Sequence, residues 1–369
     1  MHQKGKEMTN RIEQEKGRIL FSEEEFQEKL LAWFQEHKRS MPWRETPLPY
    51  YIWISEIMLQ QTRVDTVIPY FYRFIERYDT VEALANAEDE TLLKLWEGLG
   101  YYNRVRNLKV AAGEIMERHG GEIPENYEDL LKLKGIGEYT AGAISSEAFG
   151  KKEIAVDGNV YRFMARLLGI RDDLKKPSVM KKIKEEVRGL LPDTLVGDFN
   201  QGLIELGALV CIPNGSPRCG ICPVKDSCTA YKENLQDEIP LKVEKKERRE
   251  EERTVLIFRH EGRYGIRKRE EGALLAGLYE FYHEEGHYDA HLIEEWVENL
   301  GGRPSAIYPL KDKKFLFTHI LWKLKAFVVE LEAPLEDLLF LTREEIRSSY
   351  SLATAFRDYF EELGENEVE

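Results

Sequence analysis

Lys134-Gly135-Ile136-Gly137-Glu138-Tyr139-Thr140-Ala141 and, one helix-length further on, Ala155-Val156-Asp157-Gly158-Asn159-Val160 carry the reading of this chain. Two glycines around one apolar residue let the backbone reverse with its N–H groups turned outward. The helix opening after them aims the positive end of its dipole at whatever approaches. A phosphate suits that place, which makes Gly135 and Gly137 candidate contacts to a nucleic-acid backbone. A ligand-free corner between two helices carries the same local signature. Asp157 puts a carboxylate where a further helix begins, a position Asp often fills simply as an N-cap.

All four cysteines of the chain fall downstream of these motifs, at Cys211, Cys219, Cys222 and Cys228, in the pattern C-x7-C-x2-C-x5-C. Two disulfides crowded into so short a stretch, behind an N-terminus with no secretory apolar core, would be out of place. A reducing, cytoplasmic (nucleoid-associated) setting and a four-thiolate metal site are expected instead. Zinc sites of four cysteines usually come as two short pairs separated by a longer loop. One short pair with unequal arms fits a [4Fe–4S] cluster better, with zinc as the alternative.

At 369 residues and 42% hydrophobic content the chain exceeds the size at which a single core keeps growing. Residues 239–253 hold eleven charges of nearly balanced sign, the composition of a solvated linker. Before them, Phe26 to Gln35, Thr66 to Tyr78, Asp89 to Leu95 and Ser178 to Leu190 repeat apolar residues at helical intervals. After them, Thr254 to Phe258, a turn at Gly262 and Tyr264 to Arg269 read as a hairpin, with Leu321 to Val329 as a later strand. The expected layout is an N-terminal extension (1–23), an all-α domain with the cysteine loop (24–232), a charged linker (233–252) and an α+β domain (253–369). No internal repeat or transmembrane run is visible.

A net charge of −14 argues against a protein that binds nucleic acid by bulk charge, because phosphate neutralisation supplies most nonspecific affinity. Positive charge has to be local. Arg63, Arg104, Arg106, Lys109, Lys132 and Lys134, with Tyr101 and Tyr102 among them, are the candidates. Glu56 stands in Tyr51-Ile52-Trp53-Ile54-Ser55-Glu56-Ile57-Met58-Leu59, a helix apolar nearly all round, where desolvation raises a carboxyl's pKa and keeps its proton. A buried ion pair with an arginine such as Arg63 is the competing explanation.

The two glycine- and aspartate-bearing segments and the cysteine cluster together resemble the helix-hairpin-helix superfamily of base-excision DNA glycosylases. Ser55 to Thr62, Trp96-Glu97-Gly98-Leu99-Gly100-Tyr101-Tyr102 and Phe317-Thr318-His319 resemble its MutY branch, the adenine DNA glycosylases acting opposite 8-oxoguanine. The likeness spans about residues 24 to 365. One departure is visible: the family's first cysteine gap is usually six residues, and Cys211 to Cys219 leaves seven, in a turn-rich segment suited to absorbing an insertion.

The resemblance implies a multi-domain protein, an all-α helix-hairpin-helix glycosylase domain with an iron–sulfur loop followed by an α+β Nudix-like domain. It implies Glu56 as the acid that protonates adenine, and Asp157 as the stabiliser of an oxocarbenium-like sugar and candidate nucleophile toward C1′. Asn159 would position water or Asp157, and Glu205 would touch the adenine unless it serves in a cap or ion pair. Relatives that also cut the backbone carry a Schiff-base lysine two residues after the hairpin's second glycine. Tyr139 stands there, so a monofunctional enzyme is implied. Gln61 and Tyr101 match residues inserted beside 8-oxoguanine, although Tyr101 could equally be a packing aromatic. Phe317, Thr318 and His319 match the loop that checks for the lesion, against a plain strand-end histidine. Leu275 to Phe281 resembles the Nudix-like fold, but the hydrolase's Gly-x5-Glu-x7-Arg-Glu-x2-Glu-Glu pattern is absent. The implied partner is double-stranded DNA with A·8-oxoguanine or A·G mispairs, bound by a monomer, with no membrane association. Competing readings are a thymine or uracil mismatch glycosylase of the same superfamily, which would normally lack the second domain, and a cluster-bearing DNA sensor without catalysis.

Overall fold

The computed structural model describes residues 22–241, 248–270, 272 and 275–365. They form two compact units, one from residues up to Asn86 with Arg106–Glu244, the other from Ala87–Val105 with Lys245 onward.

The first unit is helical. α1 (Glu23–His37) starts at Ser22, whose hydroxyl accepts from Glu25 N, and it buries Phe26, Leu30, Trp33 and Phe34 along one face. α2 (Pro42–Glu45) and α3 (Pro49–Leu59) each open on a proline, which costs no hydrogen bond in a first turn. α3 buries every residue from Ile52 to Met58, so Glu56 sits mid-helix inside the protein. α4 (Val64–Arg77) and α5 (Val81–Ala85) follow. α6 (Asp89–Leu95) belongs to the second unit, and α7 (Asn103–His119), α8 (Tyr127–Leu131) and α9 (Glu138–Phe149) lead to the glycine turn and beyond it. α10 (Gly158–Leu168), α11 (Pro177–Gly189) and α12 (Val196–Glu205) supply Phe163, Met164, Ile183, Phe199 and Leu203 to the core shared with α1. Past α12 a π-type turn (Leu206–Val210) delivers Cys211, and α13 (Thr229–Lys232) closes the cysteine loop.

In the second unit β1 (Arg249–His260) is central. β2 (Arg263–Lys268) returns antiparallel beside it through a turn at Glu261 and Gly262, both in the left-handed region favoured by tight hairpins. β3 (Tyr279–Glu280), β4 (Tyr282–Glu285), β5 (Pro304–Pro309), β6 (Lys313–Leu316), β7 (Ile320–Leu331) and β8 (Leu339–Leu341) complete a mixed sheet in the order β3-β2-β1-β7-β5. β1 and β7 run parallel from Arg249↔Ile320 to Arg259↔Glu330. α14 (Ala290–Asn299) covers one face through Ile293 and Val297, and α15 (Arg343–Ser349) and α16 (Thr354–Glu365) follow.

The expected helices and strands are present, but the domain boundaries need two corrections. Residues 249–252, expected in the linker, are the first turnless residues of β1; Glu251 is buried there and takes hydrogen bonds from Arg253 and from Trp322 Nε1. Balanced charge marked ion pairs along β1 and across to β7 here, not a solvated tether. Leu235 and Ile239 are likewise buried in the helical core, and only 242–247 of the proposed linker lies outside the described residues. Residues 87–105, expected in the helical domain, group with the second unit: Tyr279 Oη donates to Glu90, and Lys94 Nζ to Tyr350 O. The extension 1–23 lies outside the described residues up to position 21.

Candidate active site

Three helix starts and one buried helix converge on a cavity of about 810 Å³ in the first unit. Gly142, halfway along α9, is what lets them approach, since a Cβ there would lie 1.9 Å from Ile154 O. Asn200 on α12 fixes the same segment. Its Oδ1 accepts from Ala155 N, and its Nδ2 donates to Glu153 O and Ser146 Oγ. The chain leaves this clamp directly into Asp157.

Asp157 caps α10, as Asp does locally, and it also faces the cavity. Its Oδ1 accepts from Asn159 N at 2.9 Å and Val160 N at 2.8 Å, while Asn159 Nδ2 donates to Oδ2 at 2.7 Å. Burial pushes its pKa up and these hydrogen bonds pull it down, with a net rise. The Asn159 amide is fixed from its other end by Arg162, whose Nη2 donates to Asn159 Oδ1 and Gly207 O and whose Nε donates to Cys211 O.

Glu56 lies in the same wall in a drier setting. It is only 7% exposed, and its Oε2 has no hydrogen-bond partner. Burial drives its pKa up to about 7; the Tyr139 hydroxyl that bonds it and the Arg44 guanidinium oppose the rise, and Asp157 adds to it. The expected competitor for its charge, Arg63, is an exposed N-cap of α4. Tyr139, on the first turn of α9, is held neutral by burial and by Glu56.

Glu205 also lines the cavity, but it is spoken for. It is fully buried, with Arg39 Nε and Nη2 on one side and Arg44 Nη1 at 2.8 Å on the other. The ion pair expected of it as one possibility is present, and it still lines the cavity. One turn earlier, Gln201 lines the cavity and donates to Glu147 Oε2. Neither Gln201 nor Glu147 was singled out from sequence, and Arg39 and Arg44 were missed too. A polar residue at a core-facing helical position was the available signal, at Glu147 above all.

At the rim, Gln61 is an exposed cavity residue with φ +58, a left-handed conformation that a non-glycine residue holds only when its surroundings impose it. In the glycine turn the left-handed freedom is needed at Gly135, where φ is +82 and a Cβ would lie 2.8 Å from Asn107 Cβ; Gly137 has ordinary φ and open space around it. No side chain caps α9, so its first N–H groups face outward. Arg104 is not a phosphate ligand as expected. It is buried, donates to Leu99 O and Gly100 O, and stacks on the rings of Trp96 and Tyr101.

The second unit brings Tyr101 and Thr318 together across 217 positions of sequence, hydroxyl to hydroxyl at 3.1 Å. Tyr101 has φ +48 and is 45% exposed. Thr318 and His319 are exposed at the β6–β7 turn, while Phe317 packs between Phe315 and Trp322.

The four cysteines are unpaired thiols lining one recess with Phe163 and Val210. All four open onto that recess and supply the donor set that a thiolate-held metal group requires. The seventh residue of the first gap is absorbed by an outward bulge, Pro213 to Ser216, whose base is closed by Arg218 N donating to Val210 O.

A cavity with a desolvated acid, a capped aspartate and an open helix N-terminus, joined to a cysteine loop, defines the helix-hairpin-helix class of DNA glycosylases. Residues 54–189 match the HhH-GPD superfamily of base excision DNA repair proteins, and 253–362 match the NUDIX domain. The adenine DNA glycosylase of Buchnera aphidicola subsp. Acyrthosiphon pisum (strain APS) is 36% identical over 257 residues, 69% of this chain and 73% of that protein. The structure of a thermostable thymine-DNA glycosylase superposes with a TM-score of 0.52 at 30% identity, covering 57% of this chain and 97% of that one. A non-covalent endonuclease III–DNA complex shares the fold, with a TM-score of 0.50, 24% identity, and coverage of 59% and 100%. The chain belongs to the adenine DNA glycosylase family and is a DNA glycosylase of base excision repair. Among the described residues no helix is long and apolar enough to cross a membrane.

Proposed function

We propose that the protein hydrolyses the N-glycosidic bond of adenine mispaired with 8-oxoguanine or guanine, acting as a monofunctional enzyme on a nucleotide flipped out of the duplex. The observation that carries this reading is the orphaned Oε2 of Glu56, one oxygen of a carboxyl whose pKa burial raises to about 7, in the wall of a cavity that has room for a flipped base. Glu56 gives its proton to a ring nitrogen of the flipped adenine, and the C1′–N bond breaks with its electron pair going to the base. The Asp157 carboxylate, held by Asn159 and the α10 N-terminus, stabilises the cationic sugar. Water adds to C1′, and its proton restores the acid on Glu56. Tyr139 has no amine, so no Schiff base forms and the backbone is not cut.

DNA would be held by the Gly135–Gly137 turn. Gln61 and Tyr101 would fill the gap left by the flipped base, and Phe317, Thr318 and His319 would read the base opposite. Cys211, Cys219, Cys222 and Cys228 would hold a [4Fe–4S] cluster, which would tie the ends of the cysteine loop together. Purified protein should contain iron and sulfide in about a 1:1 ratio; one tightly bound zinc and no iron would remove the cluster from the proposal. The decisive assay is base release from an A·8-oxoguanine duplex beside A·G, G·T and G·U duplexes. Release of adenine alone is expected, whereas release of thymine or uracil but not adenine would put the protein with the mismatch glycosylases.

A further inference from the structure

α12 meets α9 backbone to backbone. At Gly197, in the first turn of α12, a Cβ would lie 2.9 Å from Glu147 Cα and 2.9 Å from Ser146 O, so any side chain there would push the two helices apart. Asn200 donates to Ser146 Oγ at 2.9 Å, and Gln201, one turn beyond Gly197, donates from Nε2 to Glu147 Oε2 at 2.8 Å. Glu147 and Gln201 both line the main cavity, and both also line a second recess of about 380 Å³. The pair thus stands in the cavity wall, on two helices whose spacing is fixed where it sits.

A primary amide has two unlike ends, and in a cavity wall they select opposite ligands: the NH2 donates and the carbonyl accepts. At Gln201 the choice between them is made by Glu147. A carboxyl keeps an accepting oxygen whether or not it is ionised, and Gln201 meets it with nitrogen. Oε1 is the end left to accept from whatever occupies the cavity. Adenine carries a donor at C6, its exocyclic amine, where guanine and hypoxanthine carry an accepting carbonyl. A flipped base is read through such edge groups, and an acceptor in the wall suits the amine and repels the carbonyl. We propose that Glu147 is a positioning residue for base selection: by holding Gln201 Nε2 it fixes the amide with Oε1 toward the base, so that the cavity takes a 6-aminopurine and rejects a 6-oxopurine. This deepens the adenine reading and rests on it, whichever group holds the proton. Gln201 makes the contact with the base, and Glu147 acts through it.

The test is the single-turnover release of adenine and of hypoxanthine, each placed opposite 8-oxoguanine, at one neutral pH. It compares the full chain with its Glu147→Gln, Glu147→Leu and Gln201→Leu variants and the Glu147→Leu, Gln201→Leu double variant, each with a melting curve. The full chain should favour adenine by about tenfold or more, the weight of one buried hydrogen bond made against one left unmade. Glu147→Gln can meet Gln201 with either end of its own amide, and Glu147→Leu meets it with neither. Both should bring the ratio close to that of Gln201→Leu, and the double variant should add nothing to Gln201→Leu. A ratio that stays put because both bases slow by the same factor would overturn the proposal and leave Glu147 a packing residue. Equal release of the two bases by the full chain would overturn it as well. Should the Leu variant not fold, the near-isosteric Gln variant decides. Release of neither base by the full chain would instead overturn the adenine reading itself.

Discussion

Buried carboxylates occur in both units; Glu205 in the first is paired with Arg39 and Arg44 much as those in the second are paired with their arginines, and Glu56 is treated in the opposite way. In the second unit Glu280 is ringed by Arg267 and Arg269 with His283 against it, and Glu251 by Arg249, Arg253 and the Trp322 N–H. Burial pushes Glu251 up, but those donors outweigh it and hold its pKa below the ordinary value. In the first unit Glu56 is left short of donors and its pKa rises. A buried acid saturated by arginines holds a sheet together; one kept short of them is available to give up a proton.

The contrast is most sharply broken at Glu56. Glu56→Gln should lower adenine release by about 10²–10⁴-fold, the usual weight of a general acid, while duplex binding persists in a gel-shift assay. Near-normal turnover would mean the proton comes from elsewhere. The mirror experiment is Glu280→Gln, which strands Arg267 and Arg269. It should cost the second unit about 3–5 kcal/mol in urea unfolding, and the rate of base release by folded enzyme should not change.

The two units should also respond to pH with opposite signs. Glu56 has a folded pKa above its unfolded value of 4.5, so its contribution is present below that value and is lost as pH rises through about 7. His283 is pushed down to about 3 from 6.5, by burial and by Arg269, Arg253 and Arg267, so its contribution is present above 6.5 and is lost as pH falls toward 3. Glu56→Gln should accordingly stabilise the protein at pH 8 by about 1–3 kcal/mol relative to pH 5. His283→Phe should flatten the acid-side loss. Equal pH dependence in both variants would cancel the comparison. The smallest effect is expected at the exposed turn: Thr318→Ala with His319→Ala should reduce discrimination between 8-oxoguanine and guanine by about 1–3 kcal/mol, with the chemical step spared.

The elements with strong periodicity were legible in the sequence, α1, α4, α6 and α11 among them, because apolar spacing is a local property. So were the burial of Glu56, the place of Asp157 at a helix start and the grouping of the cysteines, which residue type and near neighbours carry. What could not be read was pairing at a distance. Nothing local says that Arg39 and Arg44 meet Glu205, that Tyr101 touches Thr318, or that the charges at 249–252 complete a strand whose partner is β7. Glu147 was overlooked because one glutamate in a helix ordinarily faces water.

Arg162 ties the Asn159 amide to the carbonyl of Cys211 through a single guanidinium. Loosening the cysteine loop should therefore be felt at Asn159, and through it at Asp157, with neither residue changed.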